Sequence, residues 1–379
     1  MAAFEPVDVR FMRRALRLAT LSLGRTWPNP GVGCVIARRG EVIGEGRHAV
    51  YGQAHAEVNA LAQCSALGHD PAGATVYVTL SPCTRHGRQP PCIDALRSAR
   101  VARVVAAIDD PHQDLAALAL AEAGIAYQAG CCAAEATQLH GGFLARVTRN
   151  RPRLTGKWAM TLDGSIATRT RDSAWISSVE ALAFSRRRRR LFDAIMIGAG
   201  TAHQDDPSLL SAQVGERTPV RVVISRGAEL PEHSLLVATK PKASVMVLHA
   251  PDAPAGNLAA LRSHGVEVHA VEDPHQPLQV ARVLGECGFN DVLVEGGAQV
   301  HGAFLRAHLY DRLELYIGAS TIAGGLGVCA GSGADLMRDA HHWMHEQPPR
   351  LLGTTVNLRL RRPDGLEVDD SEPLVVEEE

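Results

Sequence analysis

Two short segments carry the side chains with the plainest chemistry: His55-Ala56-Glu57, and Ser81-Pro82-Cys83 followed after an eight-residue gap by Cys92. Two thiolates and an imidazole form a donor set suited to Zn2+, and three protein ligands leave a fourth tetrahedral position for water. A metal held in this way lowers the pKa of that water towards neutrality. Glu57 stands two residues from His55, near enough to exchange a proton with the water without ligating the metal. The implied chemistry is hydrolytic replacement of a ring amine, with Glu57 carrying the proton to the ring nitrogen and the leaving group. His-x-Glu with Pro-Cys-x-x-Cys is the pattern of zinc-dependent base deaminases. The departure is the spacing: Cys83 is followed by Thr84-Arg85-His86, and the second thiol waits until position 92. A loop can return the chain to the metal across that gap. Cys34, Cys64, Cys131, Cys132, Cys287 and Cys329 lack such a context and read as core residues.

Elements that would position these groups follow from the periodicity. Apolar residues at helical spacing (Phe11, Met12, Ala15, Leu16, Ala19) predict a helix over Asp8 to Leu23 with Asp8 as N-cap. Strands are expected at 32–36, 41–46, 75–80 and 101–108, and helices at 54–67 and 92–99. His55-Ala56-Glu57 thus opens a helix and Cys83 follows a strand. The alternation continues to about residue 147 and predicts an α/β sheet with helices on both faces. Thr148 to Arg153, polar and with a proline, is the expected linker. A second α/β pattern follows, with strands near 154–162, 194–198, 219–224, 244–248, 291–295 and 312–318. Its helices are expected near 178–191, 255–264, 277–287 and 298–308. The last 16 residues, from Asp364, hold eight acids and neither Lys nor Arg, and read as a solvated tail.

Bulk composition narrows the partners. Of the 379 residues, 46% are hydrophobic and 21% charged, the balance of an ordinary globular protein of two domains. A formal net charge of −2 gives no basic field for nucleic acid, and 4% aromatics is too few for base-stacking platforms. A small-molecule substrate is therefore expected. No run of 18 apolar residues and no signal-peptide pattern occurs, so a cytoplasmic location without a membrane span is expected. Eight cysteines in a chain this long suit metal and catalytic roles better than a disulfide framework.

The second half has three notable stretches. Lys157 lies on an expected strand before the turn signal Leu162-Asp163-Gly164. Ile197-Gly198-Ala199-Gly200-Thr201 follows a strand and precedes Asp205-Asp206-Pro207, and Val294-Glu295-Gly296-Gly297 joins a strand to a helix. Small residues at strand-to-helix junctions let backbone N–H groups approach a pyrophosphate. The pattern is not Gly-x-Gly-x-x-Gly, so on these residues alone nucleotide binding stays one reading among others. In the run Arg186 to Arg190, consecutive side chains point around a helix, so one or two can face a site and the rest form a solvated face.

Taken in order, Trp27-Pro28-Asn29-Pro30, Val32-Gly33-Cys34, Gly44-Glu45-Gly46-Arg47-His48, His55-Ala56-Glu57, Ser81-Pro82-Cys83 and His86-Gly87-Arg88-Gln89-Pro90-Pro91-Cys92 resemble the bifunctional deaminase–reductases of riboflavin biosynthesis. The insertion before Cys92 is the specific element, and the resemblance runs from about residue 8 to 362. It implies a cytidine-deaminase-like three-layer α/β domain over 1–148 and a dihydrofolate-reductase-like α/β domain over 152–362, ahead of the acidic segment 364–379. The implied function is zinc-dependent deamination of 2,5-diamino-6-ribosylamino-4(3H)-pyrimidinone 5′-phosphate, then NADPH-dependent reduction of its ribosyl group to ribityl. By similarity His55, Cys83 and Cys92 hold Zn2+ and Glu57 is catalytic. Asn29, His48 and Ala56 face the pyrimidine, and Arg88 and Asp110 the ribose phosphate. In the second domain Lys157 and Asp205 are catalytic beside Glu295. Ser177, Gly198, Thr201, Gly296 and Gly297 line NADPH, and Ser173, Arg189 and Leu209 contact substrate; a neighbour of Arg189 meets the cofactor's 2′-phosphate. A homo-oligomer is expected.

Three positions depart from the family pattern: the loop from Asp110 to Ala117 has no glycine, Ala212 replaces an arginine, and Ser225 lacks a preceding aspartate. Loss of a charge-assisted phosphate contact is worth about 1.5–3 kcal/mol. The departures admit a paralogue acting on a related pyrimidine in a secondary-metabolite pathway, or a deaminase with an impaired reductase. A nucleic-acid base deaminase would instead show Pro-Cys-x-x-Cys spacing, a basic surface and no second half. A non-catalytic relative would be expected to lack Glu57 or a zinc ligand, and all four residues are present.

Overall fold

A computed structural model describes residues 4–112, 115–211, 217–331 and 333–363. The chain divides into two compact units, Met1–Arg149 and Asn150–Glu379. The acidic segment from 364 and Ala212 lie outside the described residues.

The first unit runs α1 (Pro6–Thr20), β1 (Gly33–Arg38), β2 (Glu41–Arg47), α2 (Ala56–Ala66), β3 (Thr75–Val78), α3 (Cys92–Ser98), β4 (Arg103–Ala106), α4 (Ala116–Glu122), β5 (Ala126–Ala129) and α5 (Ala133–Arg149). Its sheet has the order β2-β1-β3-β4-β5. β1 pairs antiparallel with β2 and β3, whereas β3, β4 and β5 are parallel. Alternation along the strands builds the layers, because successive side chains point to opposite faces. Cys34, Ile36, Val76, Val78 and Val104 pack with Ala56, Ala60 and Cys64 of α2 and Leu96 of α3. Their neighbours Val35, Ala37, Tyr77 and Val105 pack on the other face with Phe11, Met12, Ala15 and Leu16 of α1 and Ala136 of α5.

Asp8 does not cap α1. Glu5 is the N-cap and Asp8 stands at N3, completing a capping box. Asp8 also accepts from Tyr77 and Arg103 inside the unit, which explains why an acid sits on the buried helix face.

The second unit comprises β6 (Arg153–Met160), β7 (Ser165–Ala167), α6 (Val179–Arg188), β8 (Ala194–Gly198), α7 (Ala199–Asp205), β9 (Val220–Ile224), α8 (Leu235–Ala238), β10 (Val245–His249), α9 (Ala255–Ser263), β11 (Glu267–Ala270), α10 (Pro277–Glu286), β12 (Asp291–Val294), α11 (Ala298–Arg306), β13 (Arg312–Gly318), β14 (Leu326–Gly327), β15 (Met344–His345), β16 (Arg350–Leu352) and β17 (Thr355–Arg361). The main sheet has the order β11-β10-β9-β8-β12-β6-β13-β17-β15, with β16 added on β17. From β11 to β13 every pairing is parallel, so the carboxyl ends of β8, β12, β6 and β13 share one edge. Ligands of open α/β sheets bind at that edge.

The units divide between Arg149 and Asn150, inside the expected linker, and the second half of that segment packs into the second unit. Arg151 is fully buried and donates to both carboxylate oxygens of Asp311 at 2.8 and 3.2 Å, and Arg153 Nε lies 2.5 Å from Asp291 Oδ1. These arginines are anchors of the second unit's sheet; polarity alone had marked them as linker.

Candidate active sites

His55 is the N-cap of α2, in extended backbone, which sets its ring at the lip of the helix and puts Glu57 in the first turn. The seat of that turn is a glycine. A Cβ on Gly46 of β2 would lie 2.4 Å from Ala60 N and 2.5 Å from Ala56 O, so α2 rests directly on the strand backbone. Cys83 comes from the loop after β3, and Cys92 is the first residue of α3, where its backbone N–H donates to Cys83 Sγ at 3.2 Å. The three donor atoms lie within 4.8 Å of one another. His55 Nδ1 is 3.5 Å from Cys83 Sγ and 3.3 Å from Cys92 Sγ. Tetrahedral zinc with ordinary Zn–S and Zn–N bonds asks for about 3.6 Å between such atoms. The donor set and its spacing fit Zn2+.

Charge at this centre is tightly shared. A hydrogen bond from Cys92 and one from His55 hold Cys83 below the usual thiol range, while the hydrogen bond to Cys83 and burial push the Cys92 thiol upward. Glu57 is buried, and desolvation together with the Cys83 thiolate raises its carboxyl to about 7, the range in which a group both takes and returns a proton. His48 is also buried, and burial lowers its pKa. Its Nδ1 lies 3.1 Å from the Ala54 carbonyl and must donate there, so Nε2 carries the lone pair. That Nε2 is buried without a partner, and the ring meets the His55 ring edge-on at 5.1 Å.

A cavity of about 320 Å³ opens over His55 and Cys83, walled by Asn29, Tyr51, Gln53 and the stretch Arg85 to Gln89, with His112. The residues between Cys83 and Cys92 are therefore a wall of the site. Gln89 donates to the Gly52 carbonyl at 2.9 Å, and the Arg88 guanidinium lies 4.7 Å over the Tyr51 ring with its surface exposed. Asp110 is buried; its N–H donates to Ser81 Oγ and its carboxylate accepts from His112 N, tying the loop after β4 to the Cys83 loop. Ala56 is fully buried behind His55. Tyr51, Gln53 and His112 were not singled out as site residues: an isolated aromatic or amide in a loop carries no spacing signal.

In the second unit Lys157, Glu295 and Arg189 converge. Lys157 lies on β6, Glu295 directly follows the neighbouring β12, and Arg189 belongs to the short turn after α6. Glu295 accepts from Arg189 Nε and a terminal nitrogen at 2.9 Å each, and its Oε2 is 3.6 Å from Lys157 Nζ. Burial would raise this carboxyl, but Arg189 and Lys157 outweigh it and hold Glu295 at about 2. Lys157 Nζ also stands 5.5 Å above the Tyr316 ring of β13. Arg189 spends a further N–H on the Leu210 carbonyl at 2.9 Å. The rest of the arginine run divides as expected in part: Arg188 grips both oxygens of Glu314 at 2.8 Å, while Arg186, Arg187 and Arg190 are exposed. Asp205 ends α7 exposed and makes no hydrogen bond to this cluster. Leu209 is buried with φ 52°, and Ser173 is exposed.

Gly198, Thr201, Gly296 and Gly297 meet at the carboxyl ends of β8 and β12. Gly297 N–H donates to Thr201 Oγ1 at 3.0 Å, and a Cβ on Gly296 would stand 3.1 Å from Gly198 N. Ser177 is buried beside Ile176, whose carbonyl is so close to Gly318 at the end of β13 that a Cβ there would be 1.8 Å away. Glycines that let backbone segments pack closely at the carboxyl edge of parallel strands fit the edge at which a dinucleotide cofactor binds.

Fold and sites together define a zinc-dependent pyrimidine deaminase unit joined to a nucleotide-dependent reductase unit. The cytidine and deoxycytidylate deaminase zinc-binding region matches residues 6–108, and the RibD C-terminal domain matches residues 152–347. The riboflavin biosynthesis protein RibD of Bacillus amyloliquefaciens is 34% identical, over 95% of this chain and 98% of its own length. That of Escherichia coli K12 is 36% identical, over 93% and 99%. A Thermotoga maritima diaminohydroxyphosphoribosylaminopyrimidine deaminase/5-amino-6-(5-phosphoribosylamino)uracil reductase superposes with a TM-score of 0.83 at 31% identity, covering 94% of this chain and 99% of that one. The chain belongs to the RibD family, the bifunctional deaminase–reductases of riboflavin biosynthesis. It pairs zinc-dependent deamination of a small pyrimidine with NADPH-dependent reduction, and these relatives favour that function over a secondary-metabolite paralogue or a lone deaminase. Among the described residues no helix is long and apolar enough to cross a membrane.

Proposed function

We propose that His55, Cys83 and Cys92 bind the zinc ion and that Glu57 is the proton shuttle of the deaminase. Bound zinc supplies a Lewis acid that acidifies a water molecule. The carrying observation is the buried Glu57 carboxyl in the turn that starts at His55, whose Nδ1 stands 3.5 and 3.3 Å from the Cys83 and Cys92 sulfurs. Glu57 removes one proton from the incoming water and delivers it to the ring nitrogen, then carries the second proton, from the hydroxyl added to the ring carbon, to the departing amine, which leaves as ammonia. His48 Nε2 offers the pyrimidine a buried acceptor, Asn29 an amide, and Ala56 its backbone. Arg88 and Asp110 hold the ribose phosphate end, Arg88 from the wall of the cavity. His112, on the same wall, stands in the glycine-free loop and supplies a donor there.

In the second unit NADPH supplies the hydride. Ser177, Gly198, Thr201, Gly296 and Gly297 would hold the cofactor along the carboxyl edge. Lys157 faces the ribosyl carbon and Glu295 fixes its ammonium, with Arg189, Ser173 and Leu209 turned to the substrate. Asp205, exposed at the end of α7 and outside the Lys157–Glu295–Arg189 cluster, is assigned a catalytic part by the family resemblance alone.

The test is purified, zinc-replete protein with the diaminopyrimidinone ribosylamino phosphate, with and without NADPH, followed by ammonia release and NADPH absorbance. Glu57→Gln is expected to abolish ammonia release with zinc still bound; retained release would remove Glu57 from the shuttle. Lys157→Met is expected to stop NADPH oxidation while ammonia release continues. We further infer a cytoplasmic homo-oligomer: the eight cysteines are unpaired, as in a reducing compartment. Leu326, Leu336, Met337, Met344 and Leu351 expose apolar surface suited to a second copy. Light scattering after size exclusion would read a monomer if that inference is wrong.

A further inference from the structure

We propose that Tyr51 is a positioning residue for the deaminase: its ring holds the Arg88 guanidinium by the face and leaves the N–H groups open to the substrate's phosphate. The proposal rests on the reading of Arg88 as a ligand of the ribose phosphate end.

Tyr51 lies in a turn closed by the Gln53 N–H, which donates to the Val50 carbonyl at 3.2 Å. Gly52 takes the third position of that turn with φ 82°, the left-handed conformation that a type II turn requires there and that glycine adopts without strain. The turn is fixed relative to the metal donors. Ala54, between it and His55, accepts from His48 Nδ1 and from Asn59 Nδ2 of α2 at 3.1 Å each. Asn59 Nδ2 also donates to the Arg47 carbonyl at 2.9 Å, so strand, helix and turn share one amide.

The stretch between Cys83 and Cys92 rests on this platform. The Gln89 amide donates to the Gly52 carbonyl at 2.9 Å, and the Arg88 guanidinium carbon lies 4.7 Å from the centre of the Tyr51 ring. A Cβ on Gly52 would stand 3.6 Å from Arg88 Nη1, so the guanidinium also lies against the turn itself. Tyr51 and Arg88 both line the cavity over His55 and Cys83. Arg88 is exposed, and among the described residues its guanidinium makes no hydrogen bond or ion pair. The kind of partner matters here. A carboxylate would neutralise the charge and occupy donors, as Glu295 does to Arg189. A ring attracts the cation through its quadrupole and uses none of the five N–H groups. An arginine on an exposed loop must otherwise give up its rotamer freedom when it meets an anion, and a ring that holds it beforehand lessens that cost.

The full-length, zinc-replete protein is assayed for ammonia release with the diaminopyrimidinone ribosylamino phosphate and with the same compound lacking its phosphate. A cation–π contact at an exposed site corresponds to a factor of about two to five in binding, so Tyr51→Leu is expected to raise the KM for the phosphorylated substrate by that factor. Zinc content and kcat are expected to hold. Tyr51→Phe keeps the ring and is expected to match wild type. Neither variant is expected to change kcat/KM for the dephosphorylated compound. In an Arg88→Ala background Tyr51→Leu is expected to add nothing, since the two residues act as one unit. An unchanged KM in Tyr51→Leu would overturn the proposal. So would an equal loss on the dephosphorylated compound, which puts Tyr51 against the base or sugar, or a parallel loss of zinc, which makes it a structural prop. A Tyr51→Phe as impaired as Tyr51→Leu, or effects of Tyr51→Leu and Arg88→Ala that simply multiply, would overturn it as well. Arg88→Ala alone separates the two levels. If it leaves the KM intact, the reading of Arg88 fails and the proposal with it; if it raises the KM while Tyr51→Leu does not, only the proposal fails.

Discussion

Replacing Glu295 by Gln removes one negative charge from between two cations while keeping nearly the same volume. In the native protein that charge takes two hydrogen bonds of 2.9 Å from Arg189 and stands 3.6 Å from Lys157. The side chains of Glu295, Arg189 and Lys157 are 8%, 13% and 17% exposed, so water replaces little of what is lost. Breaking a buried pair from one side costs about 3–5 kcal/mol because the partner's charge stays behind. An independent figure comes from linkage. A carboxyl held at about 2 instead of 4.5 favours the folded state by roughly 3 kcal/mol at neutral pH. The sign follows from the depressed pKa: the contribution is complete above the unfolded value and is lost as pH falls through the folded one. It therefore declines from roughly 3 kcal/mol at pH 7 to roughly 2.5 at pH 4 and about 1.5 at pH 3. Urea unfolding of wild type and Glu295→Gln at pH 7, 5 and 4, followed by tryptophan fluorescence, measures the gap. Ammonia release reports separately on the first unit. A gap under about 1 kcal/mol at pH 7, or one that widens on acidification, would refute the argument that this cluster is held by charge.

Three further outcomes follow from the geometry. Gly46→Ala drives a methyl against Ala56 O and Ala60 N, and overpacking of this kind costs about 1–3 kcal/mol. It is expected to lower zinc content by metal analysis and ammonia release together, because α2 carries both His55 and Glu57. Gly296→Val crowds Gly198 and Ile197 and is expected to raise the KM for NADPH at least tenfold without changing ammonia release. Arg88→Ala is expected to raise the deaminase KM by about tenfold to a hundredfold, the worth of a charge-assisted phosphate contact of about 1.5–3 kcal/mol. The kcat should hold, since Arg88 stands over the Tyr51 ring and is neither a proposed zinc donor nor the proposed proton shuttle.

Much of the first unit was legible because its strands alternate. Residues 33–38 and 75–78 place odd and even side chains against different helices, and that alternation is visible without coordinates. The zinc donors were legible from residue type and spacing, and the long Cys83 to Cys92 gap proved to build a wall of the cavity. What stayed hidden has one cause: polar residues whose partners are remote in sequence. Arg151 and Arg153 looked like linker because Asp311 and Asp291 lie 160 and 138 residues away. Asp8 looked like a cap because its partners Tyr77 and Arg103 are on distant strands. The strands β15 and β16 were missed because 344–352 mixes histidine, proline and arginine with few apolar residues, and β17 was missed although Val356, Leu358 and Leu360 alternate along it. β17 instead owes its place to a full antiparallel ladder with β13.

The arginine run shows the same physics at a functional position. A run of five arginines invites the expectation that one is free for a substrate phosphate, and Arg189 was that residue by resemblance. Its guanidinium is instead already committed: two N–H groups to Glu295 and one to the Leu210 carbonyl. A guanidinium has five N–H groups, so two remain. A phosphate approaching Arg189 therefore meets a cation whose charge is largely neutralised by Glu295, and its attraction must come from the Arg189–Lys157 pair acting on both sides of one carboxylate. This gives Arg189 two tasks, to complete the setting of Lys157 and to present its remaining donors. Arg189→Lys separates them. A lysine keeps the charge beside Glu295 but loses the fork geometry. It should preserve most of the stability measured for the Glu295 cluster while raising the reductase KM for the phosphorylated substrate. If stability and KM instead fall and rise together, Arg189 acts through Glu295 alone, and the phosphate end must be held elsewhere.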